Sequence, residues 1–298
     1  MLVQYWTTKK GEKMTEVIET LATLSVLVFV IGSMASMGLS LRLKQITSSL
    51  KNTRLVIMAL AVNFILVPLV AYGITLLFPL DEPLRIGLIL LSTAAGAPFL
   101  PKLAEAAKGN AAFSVGLMVL LMMVTIIYLP IVLPLLLGGV DVNPWEIAQS
   151  LLLLMLLPLA IGLFINGRYS EIAAKLQPVF SQASSTALIL LTVLGLVLNF
   201  REMINLVGSF GILAAVLFLL AALAMGYLLG GSDGETKSVL GLGTAQRNIS
   251  AALVVAGQNF GIDVITYLMV VSIVGLVVLM PLAGELGKRR KSNQDEEK

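Results

Sequence analysis

The chain contains no cysteine and no histidine among its 298 residues. Disulfides, thiolate nucleophiles, imidazole bases and the usual zinc sites are therefore excluded. A histidine proton relay near neutral pH is excluded as well. No constellation of Asp, His or Cys suggests an intramembrane enzyme, so the sequence predicts a protein that performs no covalent chemistry and carries no cofactor.

Charged residues are also scarce, at 12% of the chain, whereas 58% of the residues are hydrophobic. A soluble domain carries about 25% charged residues. Apolar runs of about 20 residues recur from Val17 to Glu285, and each can cross a hydrocarbon core of about 30 Å. Because the runs are continuous rather than alternating, they predict helices and not a β-barrel. We expect an all-α polytopic protein of the lipid bilayer, whose net charge of +3 reflects membrane topology and not nucleic-acid binding.

The charged loops predict the orientation of these helices. Loop 39–54 carries four basic residues and no acid, which favours the cytoplasmic side. Asp81 and Asp141 then fall outside, and the basic run 288–291 falls inside. An N-terminus outside and a cytoplasmic C-terminus require an odd number of spans, and we expect a bacterial inner (plasma) membrane. About nine spans are predicted, roughly 17–38, 55–78, 84–107, 111–137, 146–166, 180–199, 206–230, 237–259 and 262–286.

Two of these spans are interrupted. In 84–107, Pro98 and Pro101 remove two helical donors and clash with the preceding turn. In 237–259, glycines precede the polar run 244–248. An intact helix follows each break. Broken segments at matching places in two halves indicate a transporter site between inverted repeats, although Pro and Gly are common in membrane helices generally.

Arg247 lies within the second break. A guanidinium at membrane depth costs about 2.5–3.5 kcal/mol on insertion scales, so such a residue usually faces a cavity, an ion or a partner. One interpretation is that Arg247 binds a small organic anion, because a guanidinium forms bidentate hydrogen bonds to carboxylates. The alternative is structural: Arg247 caps carbonyls of the other broken helix or pairs with Glu105.

Broken helices expose N-terminal ends that attract anions and C-terminal carbonyls that attract cations. Asn63 and Ser114 are further polar groups at membrane depth, for which hydrogen bonding between helices is the alternative role. Lys102 and Glu105, near the cytoplasmic end, are more typical of interface anchors. The candidate substrate-binding residues are Arg247, Asn248, Gln246 and Thr244 in the second break, and Thr93, Pro98 and Phe99 in the first.

Five short motifs follow one another along the chain: Met37–Leu41, Val62-Asn63-Phe64 with Pro68, Lys108–Val115, Gly226–Gly230 and Arg247–Leu253. Taken in order and spacing, they resemble the bile acid:sodium symporter family from residue 31 to about 283. The resemblance implies a core domain with two crossing broken helices and a smaller panel domain, with the family's usual first helix missing. The implied layout is an N-terminal tail (1–16), a panel (17–38, 146–166 and 180–199), a core (55–137 and 206–286) and a cytoplasmic tail (287–298).

The departures from the family pattern concern sodium. Gly243 stands where the family has a sodium-site Glu, and Arg247 stands in place of a Gln, unless a one-residue slip puts Gln246 there. The family's Ser-Asn in the first break falls near Pro98-Phe99. Asn63 and Ser114 remain as residual sodium-site candidates. A guanidinium would repel sodium by several kcal/mol at low effective dielectric, so we expect no bound metal and no sodium coupling.

The sequence therefore predicts an alternating-access secondary transporter of a small organic anion, with Arg247 as a fixed cation where relatives bind a mobile one. One alternative is a proton- or sodium-coupled symporter or antiporter of the same fold, with Glu105 as the group that titrates. Another is a channel-like or structural membrane protein. The sequence leaves the formation of a homo-oligomer open.

Overall fold

The regular secondary structure is helical, with no strand, throughout the described residues 2–41, 52–138, 143–198 and 209–296 of the computed structural model. The predicted all-α class is therefore confirmed. Most of the predicted loop 39–54 and the junction 199–208 lie outside the described residues. We number the helices α1 (Leu2–Ser40), α2 (Thr53–Leu77), α3 (Glu82–Thr93), α4 (Leu100–Ala106), α5 (Ala111–Leu136), α6 (Pro144–Arg168), α7 (Ser170–Leu198), α8 (Gly211–Leu229), α9 (Gly234–Ala245), α10 (Ile249–Asn259) and α11 (Ile262–Glu296).

Seven helical segments among the described residues are long and apolar enough to cross a membrane, which confirms the polytopic architecture. The other two predicted spans, 84–107 and 180–199, correspond to the α3–α4 segment and to α7. Helices α3 and α4 contain 12 and 7 residues. Neither can cross alone, because a span needs about 20 residues.

Three helix boundaries differ from the sequence prediction. Helix α1 begins at Leu2, so residues 2–16, predicted as a tail, continue the first helix. Helix α7 begins at Ser170 rather than near residue 180, and α11 continues through the predicted tail to Glu296. In each case a polar segment extends an apolar helix, and a search for apolar runs does not detect polar turns.

Both predicted interruptions are present. Helix α3 ends at Thr93 and the chain turns extended at Ala94, before α4 starts with a proline in its first turn. Helix α9 ends at Ala245, where Gln246 is extended. The side chain of Asn248 then caps α10 by accepting a hydrogen bond of 3.1 Å from the Ala251 amide.

The two breaks contact each other, as predicted. The backbone amide of Asn248 donates to Ala94 O at 2.9 Å. Its side-chain amide donates to Gly96 O at 3.0 Å. We call this contact of residues 94–97 with residues 246–248 the crossing. It joins the middle of the α3–α4 segment to the middle of the α9–α10 segment.

Helix α5 packs against the first break and forms hydrogen bonds with its backbone. The hydroxyl of Thr125 accepts from the Ala95 amide at 2.9 Å and donates to Ala95 O at 3.0 Å. Gly96 has a φ of +81°, and a Cβ there would lie 2.2 Å from the backbone nitrogen of Met122. The unwound backbone therefore packs directly against α5, and the hydroxyl of Thr125 replaces helical hydrogen-bond partners that the break removes.

Helix α1 packs along α6 and α7, and we call these three the panel helices. Small residues allow the close approach, as is common between membrane helices. A Cβ on Gly38 would lie 2.3 Å from Leu159 O, and one on Gly162 would lie 2.7 Å from Ala35 O. Helix α10 packs on α1 and α6, so the panel helices face the second break. We retain the predicted division into panel and core domains as a proposal.

Candidate functional site

The guanidinium of Arg247 lies at the crossing and is only 4% exposed. Its Nε donates to Leu91 O at 3.0 Å, and its Nη2 donates to Ser92 O at 2.7 Å. Its Nη1 donates to Thr244 O at 3.0 Å and to Asn63 Oδ1 at 2.8 Å. Four of the five N–H donors of the guanidinium are thus bound to protein oxygens. The geometry is that of the structural alternative, in which Arg247 caps the other broken helix.

These oxygens belong to two converging helix ends. Leu91 O and Ser92 O lie in the last turn of α3, and Thr244 O lies in the last turn of α9. A helix C-terminus carries about half a negative elementary charge. Two such ends together balance about one monovalent cation, and Arg247 supplies that cation. No carboxylate of the described residues pairs with it; the ion pairs there are Arg85–Glu82 and Arg289–Glu285.

Asn63 is oriented by an irregular stretch of α2. Residues Val62–Leu66 form a π-helical turn just before Pro68. Pro68 has no N–H to donate to Phe64 O, and the hydroxyl of Tyr128 from α5 binds that carbonyl instead. The Asn63 amide donates to Ala59 O at 3.0 Å and to Thr244 Oγ1 at 3.2 Å, while its oxygen accepts from Arg247.

Thr244 and Gln246 differ in how fully their polar atoms are bound. Thr244 is fully buried, and both its hydroxyl and its carbonyl accept hydrogen bonds at the crossing. Gln246 is half-buried, and its buried Oε1 has no partner in the described structure. Gln246 and Arg247 both border a cavity of about 20 Å³, between Leu91, Leu219 and Ser272. A cavity of this size and polarity can hold one water molecule.

The position that matches the family's sodium-site Glu is filled by apolar side chains. A Cβ on Gly243 would lie 2.8 Å from a methyl group of Leu100 and 3.3 Å from one of Leu117. Both leucines are fully buried. The position therefore lacks an oxygen ligand, and it has no room for one unless its neighbours move.

The candidate residues of the first break have separate contacts and do not form one cluster. The hydroxyl of Thr93 is buried and donates within its own helix, to Leu90 O at 2.8 Å. Pro98 and Phe99 are half-buried, and the Phe99 ring lies 5.8 Å from Lys102 Nζ. Ser114 is buried, but its hydroxyl donates to Ala111 O in α5 at 2.7 Å. Of the two residual sodium-site candidates, the structure brings only Asn63 to the crossing.

A second polar contact lies between the panel helices and α10. Ser33 Oγ of α1 and Ser250 Oγ in the first turn of α10 are 3.4 Å apart. A cavity of about 300 Å³ lies further along α1 and α10 from this pair. We call it the outer cavity. It is lined by Thr23, Val26, Leu27, Leu154, Leu191, Leu253, Val254, Gly257, Gln258, Phe260, Ile262 and Ile265.

Sequence reasoning missed Thr125, Tyr128, Ser33 and Ser250 as members of this region. Each is an isolated polar residue in an apolar helix, and only the fold places it beside a broken backbone or an opposing helix. The sequence contains one weak indication of the role of Tyr128. Pro68 has no N–H, so the carbonyl of Phe64, four residues before the proline, needs another donor. Glu105, the residue considered as a partner of Arg247, is exposed on α4 and forms no ion pair in the described structure.

Comparison with known proteins gives one family and distant relatives. The model of the Sodium Bile acid symporter family matches residues 25–206. The chain is 24% identical over 236 residues to a protein of Arabidopsis thaliana named "Probable sodium/metabolite cotransporter BASS3, chloroplastic", covering 77% of this chain and 55% of that protein. A protein of the same name from Oryza sativa subsp. japonica is 24% identical over 197 residues, covering 66% of this chain and 47% of that one. The chain spans about half the length of these curated relatives.

Proposed function

We propose that this chain, which belongs to the sodium bile acid symporter family, is a secondary transporter that moves a small organic anion by alternating access without sodium coupling. It is an integral membrane protein of a transporter family. The cargo and the lack of coupling are our inference. The observation that carries the inference is the guanidinium of Arg247 bound between the C-terminal ends of α3 and α9.

The proposal that no sodium binds here follows from charge. The two helix ends balance about one positive charge, and Arg247 holds it permanently. A sodium ion about 4 Å from the guanidinium would be repelled by about 4 kcal/mol at an effective dielectric of 20. Asn63 Oδ1, which could otherwise be a ligand, already accepts from Arg247 at 2.8 Å. The apolar surroundings of Gly243 offer no compensating carboxylate.

The proposed cargo site extends from the Ser33–Ser250 contact into the outer cavity. Ser250 lies in the first turn of α10, at the positive end of that helix, and contacts Ser33 of α1. Arg247 lies directly before this turn, so its charge contributes to the field there even though most of its donors are bound. Asn248 shapes the turn by capping it. The other sequence candidates, Gln246, Thr244, Thr93, Pro98 and Phe99, would then line or brace the crossing.

The lining of the outer cavity indicates the character of the cargo. It is mainly aliphatic, with Thr23 and Gln258 as its polar side chains and no charged residue. We therefore propose an acid with one anionic group and an apolar body that fits a volume of about 300 Å³. A dicarboxylate or a sugar phosphate would bury a second charge without a partner, which is costly.

We propose the predicted orientation, with the C-terminus cytoplasmic, in a bacterial inner membrane. Arg290 near the C-terminus donates to Lys108 O at 2.6 Å and to Ser238 Oγ at 3.0 Å. The basic C-terminal segment, the α4–α5 turn and the start of α9 thus lie at one end of the bundle, which we call the basic end. The positive-inside rule favours the cytoplasm for that end. The names of the two plant relatives refer to chloroplasts.

The test compares Arg247→Gln with Arg247→Lys. The unfolding temperature of each purified protein is measured in sodium chloride and in choline chloride of equal ionic strength. We expect no sodium effect in the wild type or in Arg247→Lys, which keeps a fixed cation. Arg247→Gln vacates the position between the helix ends, so we expect sodium to raise its unfolding temperature by mass action.

A sodium-dependent rise in the wild type would contradict the proposal, and so would the lack of any rise in a folded Arg247→Gln protein. Transport is tested separately by counter-flow of small monocarboxylates in proteoliposomes. Uptake should be equal with and without a sodium gradient. Dependence on a pH gradient would favour the proton-coupled alternative, and flux without counter-flow would favour a channel.

A further inference from the structure

A second cavity lies at the basic end of the core, away from the crossing. It has a volume of about 650 Å³ and lies between the start of α2, the end of α8 and the start of α9. We call it the interfacial groove. It is lined by Asn52, Arg54, Leu55, Met58, Leu228, Leu229, Gly230, Gly231, Ser232, Asp233, Thr236 and Lys237.

Two cations in the groove have no carboxylate partner. Arg54 and Lys237 form no ion pair with the described residues. Asp233 is the acid of the lining, but its oxygens accept from the amides of Glu235 and Thr236 and from the Thr236 hydroxyl. By sequence, the adjoining segment 42–51 contains no acid. The lining therefore contains two cations and one carboxylate, and an anion can neutralise its net charge of +1.

Part of the groove lining is apolar. Leu55 and Met58 of α2 and Leu228 and Leu229 of α8 form it. Leu228 is 76% exposed near the end of α8, a helix long and apolar enough to cross a membrane, so its side chain is accessible to a lipid chain. A ligand that places an anionic group between Arg54 and Lys237 can therefore lay an acyl chain along these side chains without leaving the bilayer.

We propose that the interfacial groove binds the headgroup of an anionic phospholipid, with its phosphate between Arg54 and Lys237. Anionic lipids are attracted to Lys and Arg side chains at the cytoplasmic surface of a membrane. A bound headgroup would bridge the start of α2 and the start of α9. Helix α2 carries Asn63, and α9 ends at the crossing. The lipid would thus stabilise the core, and this role does not depend on the identity of the cargo.

The experiment measures the unfolding temperature of the full chain in detergent with added phosphatidylglycerol or phosphatidylcholine. We expect phosphatidylglycerol to raise the temperature and phosphatidylcholine to have little effect. Arg54→Gln combined with Lys237→Gln should lose this rise. The matched control is Arg168→Gln combined with Lys175→Gln, which removes two exposed cations at the α6–α7 turn, outside the groove. The control should keep the rise.

Three outcomes would overturn the proposal. The first is a wild-type protein whose unfolding temperature rises equally with the two lipids or with neither. The second is an equal loss of the phosphatidylglycerol effect in both double variants, because that result indicates a general charge effect. The third is an equal rise with soluble glycerol phosphate, which indicates a water-borne anion. If the groove variant is poorly folded, Arg54→Lys combined with Lys237→Arg keeps both charges and should retain phosphatidylglycerol in native mass spectrometry. Loss of the lipid from that variant while it is folded would also overturn the proposal.

Discussion

Asn63 Oδ1 accepts a hydrogen bond of 2.8 Å from Arg247 Nη1, although 184 residues separate them in the chain. The same asparagine donates to Thr244, so it binds both the last turn of α9 and the residue that caps α3. This pair links the first half of the chain to the second at the crossing. Its loss should therefore affect the whole core and not one helix.

The first prediction concerns the stability of this pair. Arg247→Lys keeps the charge, but three donors on one ammonium cannot reach four acceptors in the same geometry, so at least one carbonyl loses its partner. We expect a loss of about 1–3 kcal/mol in the free energy of unfolding. Arg247→Gln should cost more, because two helix C-termini then lack a cation.

Denaturant unfolding of Arg247→Gln, Asn63→Ala and the double variant measures the coupling. We expect an interaction energy of about 0.5–3 kcal/mol, as for residues in direct contact. Arg85→Gln is the control, because Arg85 forms only an exposed pair with Glu82 at 4.0 Å. Additive losses in the cycle would mean that the hydrogen bond contributes nothing measurable.

Much of the fold could be predicted because its cause is local. The prolines at 98 and 101 and the polar run 244–248 disfavour a continuous helix at these two positions, and the structure confirms both breaks. The role of Arg247 could be narrowed only to two interpretations. The oxygens that surround the guanidinium depend on how two helix ends that are distant in the sequence meet in the fold. The spacing of residues along the chain does not indicate how they meet.

The same reasoning explains what was missed. Thr125 braces Ala95 across 30 residues, and Ser33 meets Ser250 across 217. A lone hydroxyl in an apolar helix can always bond its own preceding turn, as Ser114 does. The sequence therefore could not distinguish a hydroxyl that supports the crossing from one that is satisfied locally.

The second prediction concerns Gly96 in the first break. Gly96→Ala places a Cβ 2.2 Å from Met122 N at a φ of +81°, and we expect it to unfold the core or to lower its stability by several kcal/mol, since both strain and overpacking apply. Gly73→Ala in α2 is the matched control, because its added Cβ has no heavy atom within 4 Å apart from the local backbone of its own helix. It should be neutral or stabilising by about 0.5–1 kcal/mol. Equal thermal stability of the two variants would contradict the tight packing on α5.

The third prediction concerns pH at the start of α9. The hydrogen bond from the Thr236 hydroxyl, with those from the Thr236 and Glu235 amides and the charge of Arg290, holds the pKa of Asp233 below its usual value. A lowered pKa in the folded state stabilises the protein above the unfolded-state pKa, and this stabilisation is lost as the pH falls through the folded-state value. Asp233→Asn keeps a capping oxygen but does not titrate. The stability advantage of the wild type over Asp233→Asn should therefore shrink on acidification, and an advantage that is constant with pH would be inconsistent with this role.

The last prediction tests alternating access directly. The chain has no native cysteine, so Ser33→Cys combined with Ser250→Cys introduces a single reactive pair. The serine hydroxyl oxygens are 3.4 Å apart, and a disulfide forms when the two Cβ atoms approach to about 3.5–4.5 Å. If the panel helices move against α10 during each cycle, oxidation should stop counter-flow and reduction should restore it. The two single-cysteine variants should stay active after oxidation. Full activity of the crosslinked protein would mean that these surfaces do not separate, and the alternating-access proposal would then have to be abandoned in favour of a fixed pore.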